Sequence, residues 1–167
     1  MIKDKNYYKN EILNRFNIEW LESKIPYNSN TSLLVTRCSG TKNPKVQDIY
    51  YPKELYYGLV PQLFFKKMDI EKLRYGVLSD LHGIVWDDEQ IKNYDMPPQE
   101  VDDEGFKKLG EVIHNKVKER YPNITQIFFY NTSVIMSYPY FKMLAACGYK
   151  AYYFSNLDLL DFRKRLF

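Results

Sequence analysis

The sequence predicts an α/β fold: a three-layer sandwich around a short, mostly parallel central sheet. Three observations carry that prediction. Short segments rich in apolar residues, Leu33 to Cys38, Leu73 to Leu78, Ile127 to Tyr130 and Lys150 to Phe154, alternate with longer segments of helical periodicity. The first three are almost wholly apolar rather than alternating, as strands covered on both faces are. Each of those three also stops at a cluster of small polar residues, and in parallel sheets ligands sit beyond the carboxyl ends of the strands.

The elements follow in order. A first helix is expected over about residues 5 to 23, where Tyr8, Ile12, Phe16, Trp20 and Leu21 fall at three- and four-residue steps. Pro26 to Thr31 breaks that pattern before a strand over about 32 to 38. Lys53 to Met68 reads as helix, with Pro61 kinking it or starting a second one. Leu73 to Leu78 is the next strand, followed by a long connection read as an ordered functional segment. Asp102 or Asp103 caps a helix through about Tyr121, with Phe106, Leu109, Val112, Ile113 and Val117 inward. After a strand from Thr125 to Tyr130, Ser133 caps a helix that carries Tyr140, Phe141, Leu144 and Ala145 and stops at Gly148. Lys150 to Phe154 is the last strand. Asn156 then caps a final amphipathic helix with Leu157, Leu160, Phe162 and Leu166 inward and Arg163, Lys164 and Arg165 outside.

Composition narrows the class. With 167 residues, 45% of them hydrophobic, the chain can bury one ordinary core, so a single domain over 1–167 is expected. A net charge of +3 permits a polyanionic partner without requiring one. The opening residues have no apolar stretch of signal length, and no run approaches the roughly 20 apolar residues of a membrane span, so a cytoplasmic protein with no membrane partner is expected. Cys38 and Cys147 each lie in an apolar segment, which suits reduced buried thiols. His82 and His114 lack a His or Cys at ligand spacing, so neither a metal nor another cofactor is expected.

Three clusters carry the candidate chemistry. In Thr36 to Pro44, the Ser39 and Thr41 hydroxyls, a turn at Gly40 and the Lys42 ammonium form a small anion cradle, or else a plain turn with a solvated lysine. The cluster has neither Walker nor dinucleotide-fingerprint spacing. In the segment from Ser79 to Pro98, Ser79 and Asp80 end a strand, Gly83 permits a bend, His82 titrates near neutrality, and Tyr94 and Asp95 return along the loop. The third cluster, Tyr130 to Ser133, offers the Asn131 amide and backbone N–H groups to a ligand, or simply caps the next helix. Glu54 and Tyr56 stand at a helix start between the first two clusters and face either the pocket or the core edge.

Four ordered motifs resemble a known family. Cys38-Ser39-Gly40-Thr41-Lys42, Glu54-Leu55-Tyr56, Leu78 to Val85 and Ile91-Lys92-Asn93-Tyr94-Asp95 are similar to the C-S-x-T-K, A-x-E-L-Y, L-S-A-x-[HY]-G-L-[LV] and I-x-P-Y-D motifs of an uncharacterised bacterial and archaeal α/β family. More distantly they resemble the YaaA family of peroxide-stress proteins. The likeness covers roughly residues 33 to 98, and the chain departs from the pattern at Asp80 and Asn93. It implies a fold akin to the uracil-DNA glycosylase-like and tRNA-transglycosylase-associated folds and a role near nucleotides, nucleobases, nucleic acid or DNA damage. Carried over by motif, it adds weight to Ser39, Thr41, Lys42, Glu54, Tyr56, Ser79, His82, Gly83, Tyr94 and Asp95.

Two functional readings follow. In the first, a pocket at the strand ends takes a nucleotide or nucleobase: Lys42 and Gly40 hold an anionic group, Tyr56 or Tyr94 stacks on a base, and Asp95, Glu54 or His82 acts on a glycosidic bond. In the second, Lys42, Lys45 and Lys53 track the phosphates of a nucleic acid without catalysis. A protein-interaction role for the end helices stands beside them.

Overall fold

A computed structural model describes residues 2–95 and 100–162. In chain order the elements are α1 (Lys5–Phe16), β1 (Ile18–Trp20), β2 (Ser32–Arg37), α2 (Pro52–Leu55), α3 (Leu59–Glu71), β3 (Tyr75–Ser79), β4 (Gly83–Trp86), α4 (Asp103–Arg120), β5 (Gln126–Tyr130), α5 (Tyr138–Ala145) and β6 (Lys150–Phe154). Short 3₁₀ turns cover Ile135–Ser137 and Leu157–Leu160. The strands form one six-stranded sheet in the order β1-β6-β5-β2-β3-β4. Every neighbouring pair is parallel except β3 and β4, which form an antiparallel hairpin.

Alternation along β5 sorts the layers, because successive side chains leave a strand on opposite faces. Phe129 packs on Tyr140 and Phe141 of α5, whereas Tyr130 stacks on Phe64 of α3 at 5.9 Å between ring centroids. The sheet therefore separates α3 from α5. Helices α1 and α4 both pack on α5, which puts them in the same outer layer. The middle stretches of β2, β3 and β5 between those layers are apolar: Leu33 to Val35, Val77, Leu78 and Ile127 to Phe129 are all buried. That is the α/β sandwich the sequence predicts.

The sequence-based boundaries shift in two informative places. The expected first helix stops at Phe16, because Asn17 takes a left-handed conformation with φ 57° and caps α1 through its backbone N–H. Ile18–Trp20 then pairs with β6 as an edge strand, and Trp20 packs edge-on against Tyr153 rather than lying on a helix face. The second shift is β4, inside the segment read as a long loop. It returns along β3 with Ser79 opposite Gly83, so Asp80, Leu81 and His82 form the hairpin tip.

Other expectations gain detail. Pro61 lies in the first turn of α3, where the backbone N–H groups have no helical partner, so the segment divides into α2 and α3 without a kink. Asp102 caps α4 by accepting from the Gly105 N–H at 2.7 Å. Ser133 accepts from Met136 N–H and so caps the 3₁₀ turn that precedes α5. Asn156 caps a single 3₁₀ turn, and the expected continuation through Arg163, Lys164, Arg165 and Leu166 lies outside the described residues, as does Met96 to Gln99. No helix among the described residues is long and apolar enough to cross a membrane.

The connectivity places one special crevice. From β2 the chain winds outward through α3 to β3, and from β5 it winds the other way through α5 to β6, so β2 and β5 flank the point where the strand order reverses. Two side chains bridge that seam. Thr36 donates to the Tyr130 carbonyl at 3.1 Å, and Arg37 Nε donates to Asn131 Oδ1 at 3.0 Å.

Candidate functional site

The site begins where β2 runs out. The Cys38 N–H still donates to the Leu78 carbonyl at 2.9 Å, so the chain stays beside β3 for one residue past the strand. This sets Cys38 next to Asp80, the first residue of the hairpin tip. The tip is held by Ser79, whose Oγ accepts from the Leu81 and His82 N–H groups, and by Gly83, whose φ of 75° suits a residue without a Cβ. A Cβ on Gly83 would also lie 3.1 Å from the Leu109 carbonyl of α4.

Across the seam, α5 supplies Tyr140. Cys38 Sγ therefore sits between two oxygens, 3.2 Å from Asp80 Oδ2 and 3.5 Å from the Tyr140 hydroxyl. These three buried groups lie together on a cleft of about 610 Å³. Arg37, Ser39, Gly40 and Lys42 line it from the β2 side, and Tyr94 and Asp95 from the returning loop. Val101, Phe106, Ile135, Met136 and Pro139 give it an apolar wall, with Lys142 at its margin. Ile135 and Met136 are 59% and 65% exposed, so a ligand in the cleft would cover apolar surface that water now touches.

The charges in this cleft are unevenly matched. Lys142 pairs with Asp103 at 3.0 Å, but among the described residues no carboxylate lies within ion-pairing distance of Arg37 or Lys42. Arg37 is instead held by neutral acceptors, Asn131 Oδ1 and the Cys38 carbonyl. Lys42 stands over the Tyr94 ring at 4.8 Å from its centroid. Asp80 is only 5% exposed, and burial raises its pKa above the ordinary carboxylate value despite the Cys38 hydrogen bond and the Lys42 charge. Its Oδ1 is buried without a hydrogen-bond partner among the described residues. Burial, reinforced by the Asp80 charge, pushes the Cys38 thiol up to about 12, so it remains an S–H donor at neutral pH.

Behind the cleft a second set of hydroxyls ties the loop down. Tyr94 OH lies 2.7 Å from Tyr56 OH and 2.8 Å from Ser79 Oγ. Burial raises the pKa of both tyrosines, which keeps them neutral and available as donors. His82 meets the Tyr94 ring edge-on at 5.1 Å, and its Nε2 is buried without a partner among the described residues. Burial, followed by the nearby Lys116 ammonium, lowers the His82 pKa and favours the neutral imidazole.

The residues singled out from sequence thus fall into three groups. Ser39, Gly40, Lys42, Tyr94 and Asp95 line the cleft itself. Tyr56, Ser79, His82, Gly83 and Asn131 stand behind its wall as supports. Tyr56 and Ser79 anchor Tyr94; Asn131, fully buried, orients Arg37 while its Nδ2 donates to Ser137 Oγ at 2.8 Å. Ser39 also serves the fold, donating to the Thr41 carbonyl and accepting from the Gly58 N–H. Thr41 is exposed beside the cleft, with its backbone carbonyl in use. Glu54 lies elsewhere: its Oε1 accepts from the Tyr51 N–H, and the side chain borders a separate shallow groove with Lys45, Lys53 and Tyr57.

Sequence reasoning did not assign roles to Arg37, Tyr140, Phe106, Ile135 or Met136. Arg37 had a usable signal, since a cation ending an otherwise apolar strand sits where ligands bind. The others come from helices whose docking no local pattern specifies. Among the described residues no group of three or more His, Cys, Asp or Glu side chains is arranged to hold a metal ion. Comparison with known protein families, with curated proteins and with solved structures finds no match to this chain.

Proposed function

We propose that this chain is a cytoplasmic nucleotide-binding protein whose ligand lies in the cleft at the β2–β5 seam. The phosphate is held by Arg37 and Lys42, and the base lies against Phe106, Ile135, Met136 and Tyr140. The observation that carries this reading is the pairing of two cations that lack carboxylate partners among the described residues with an apolar, partly exposed wall in one crevice. A charge-assisted hydrogen bond to phosphate contributes about 1.5–3 kcal/mol. The resemblance to nucleobase-handling folds supports the same ligand class and a setting of DNA damage or oxidative stress. Calorimetric titration with cytidine and adenosine 5′-monophosphates tests the reading. Arg37→Gln and Lys42→Gln should each weaken binding roughly tenfold, and unchanged affinity in both would sink it.

A catalytic form of the same reading is hydrolysis of the nucleotide's glycosidic bond. Asp95, exposed on the cleft margin, is the carboxylate that would face the oxocarbenium-like centre. Release of ribose 5-phosphate that disappears in Asp95→Asn supports it; tight binding without any release leaves only the binding role.

One observation favours a polymeric ligand as a second reading. Lys45 and Lys53 border the shallow groove beyond Lys42, together with Asn43 and Tyr57. A single-stranded nucleic acid crossing both sites would bind with a steep salt dependence. Fluorescence anisotropy that is flat at low salt for labelled DNA and RNA removes this reading.

A further inference from the structure

We propose that Asp80 selects a base bearing an exocyclic amino group, of the cytosine or adenine kind, by accepting its N–H at Oδ1. The inference rests on the nucleotide reading above and names the chemical feature that distinguishes one nucleotide from another in the cleft.

The geometry sorts the two carboxylate oxygens. Oδ2 accepts from the Cys38 thiol at 3.2 Å. Among the described residues Oδ1 is buried and has no partner, although buried polar atoms in folded proteins almost always have one. The neighbouring donors do not fill that position. Ser79 Oγ takes part in the Tyr94 bridge and accepts two backbone N–H groups, the Tyr140 hydroxyl interacts with both Cys38 and the Asp80 carboxyl but gives Oδ1 no hydrogen bond, and Lys42 stands over the tyrosine rings and acts on Asp80 through its charge. A donor brought by the ligand would complete the site.

An ionised carboxylate only accepts hydrogen bonds. Cytosine and adenine present an amino donor where uracil and hypoxanthine present a carbonyl acceptor, and that carbonyl would meet Oδ1 acceptor to acceptor. Cys38 extends the argument to the amide variant. In Asp80→Asn the thiol keeps donating to residue 80 only if the amide oxygen occupies the Oδ2 position, which places the amide NH2 where Oδ1 stood. The substitution then exchanges acceptor for donor at one point of the cleft and leaves its shape unchanged.

The experiment compares two ligand pairs, cytidine against uridine 5′-monophosphate and adenosine against inosine 5′-monophosphate, by calorimetry on the full chain and on Asp80→Asn. The amino member of each pair should bind wild type at least about tenfold tighter, and Asp80→Asn should lose or invert that ratio. Nucleotide binding with no amino-over-oxo ratio in wild type overturns the role of Asp80 and leaves the cleft assignment standing. So does a ratio that persists in a folded Asp80→Asn. Absence of binding to all four nucleotides overturns the nucleotide reading and this inference with it. The wild-type ratio alone decides the matter if the variant does not fold.

Discussion

The Cys38 thiol donates to Asp80 Oδ2 at 3.2 Å, joining the end of β2 to the tip of the neighbouring hairpin. This bond gives the cysteine its role. A thiol pushed up to about 12 is almost wholly protonated at neutral pH, so Cys38 orients a carboxylate and is a poor nucleophile. It also leaves the other carboxylate oxygen, Oδ1, buried without a hydrogen-bond partner among the described residues.

Asp80 should make the protein less stable as pH rises. Its folded pKa lies above the ordinary Asp value of 3.8, so the folded chain keeps a proton that the unfolded chain releases. With more protons bound in the folded state, stability falls as pH climbs from the ordinary Asp value through the folded pKa, and it is level above that. Asp80→Asn removes this dependence. Urea titrations should find the variant gaining on wild type as pH rises from 3 to neutrality; a constant difference across that range would contradict the assignment.

Tyr94→Phe should destabilise the fold by about 1–3 kcal/mol, because it leaves the buried Tyr56 hydroxyl without the 2.7 Å bond it now has. The substitution keeps the ring under Lys42, so the cost is that of the hydroxyl bridge. A double-mutant cycle with Tyr56→Phe should show non-additivity of about 0.5–3 kcal/mol. Additive losses in equilibrium denaturation would mean that the two hydroxyls act separately.

Gly110→Ala should also destabilise, against the helix preference of alanine. A Cβ there would lie 2.6 Å from the Ala146 Cβ and 2.7 Å from the Met143 carbonyl, where α4 crosses α5. Alanine gains about 1 kcal/mol in helix propensity, while overpacking costs about 1–3 kcal/mol. A lower melting temperature is expected. A rise would show that α5 can move away, and the cleft wall carried by Tyr140 would then be less rigid than its packing implies.

How much was legible in the sequence depended on the range of the interaction. Strands β2, β3 and β5 were readable because burial on both faces leaves nearly continuous apolar runs, and β6 as a short aromatic segment between Gly148 and Asn156. β1 was hidden since Trp20 follows Phe16 by four residues, a helical step, and only the left-handed backbone at Asn17 interrupts it. β4 was hidden for a different reason: Gly83 to Trp86 is an apolar run of its own, but it lies inside a motif that draws attention to its polar neighbours. The tip residue Asp80 was visible as a strand end and as a departure from the family pattern. Its partners were not, because Cys38 and Tyr140 are separated by 102 positions and meet only through the docking of α5. Glu54 looked like a site residue by the same motif logic and proved to be engaged in capping α2.

The two ends of the sheet carry a consequence for the life of the protein in solution. β1 exposes an outer edge only three residues long, and β4 one of four residues whose Ile84 carbonyl is taken by the Lys116 ammonium. Short, partly covered edges give another chain little to pair with, whereas the long apolar strands that would template fibrils are interior. Colloidal behaviour should therefore be governed by how well α1 and α4 stay docked over those edges. A lesion that loosens α1 would first be felt as self-association of the unmasked β1 edge, whereas one that loosens α4 would also disturb the cleft, whose wall includes Phe106.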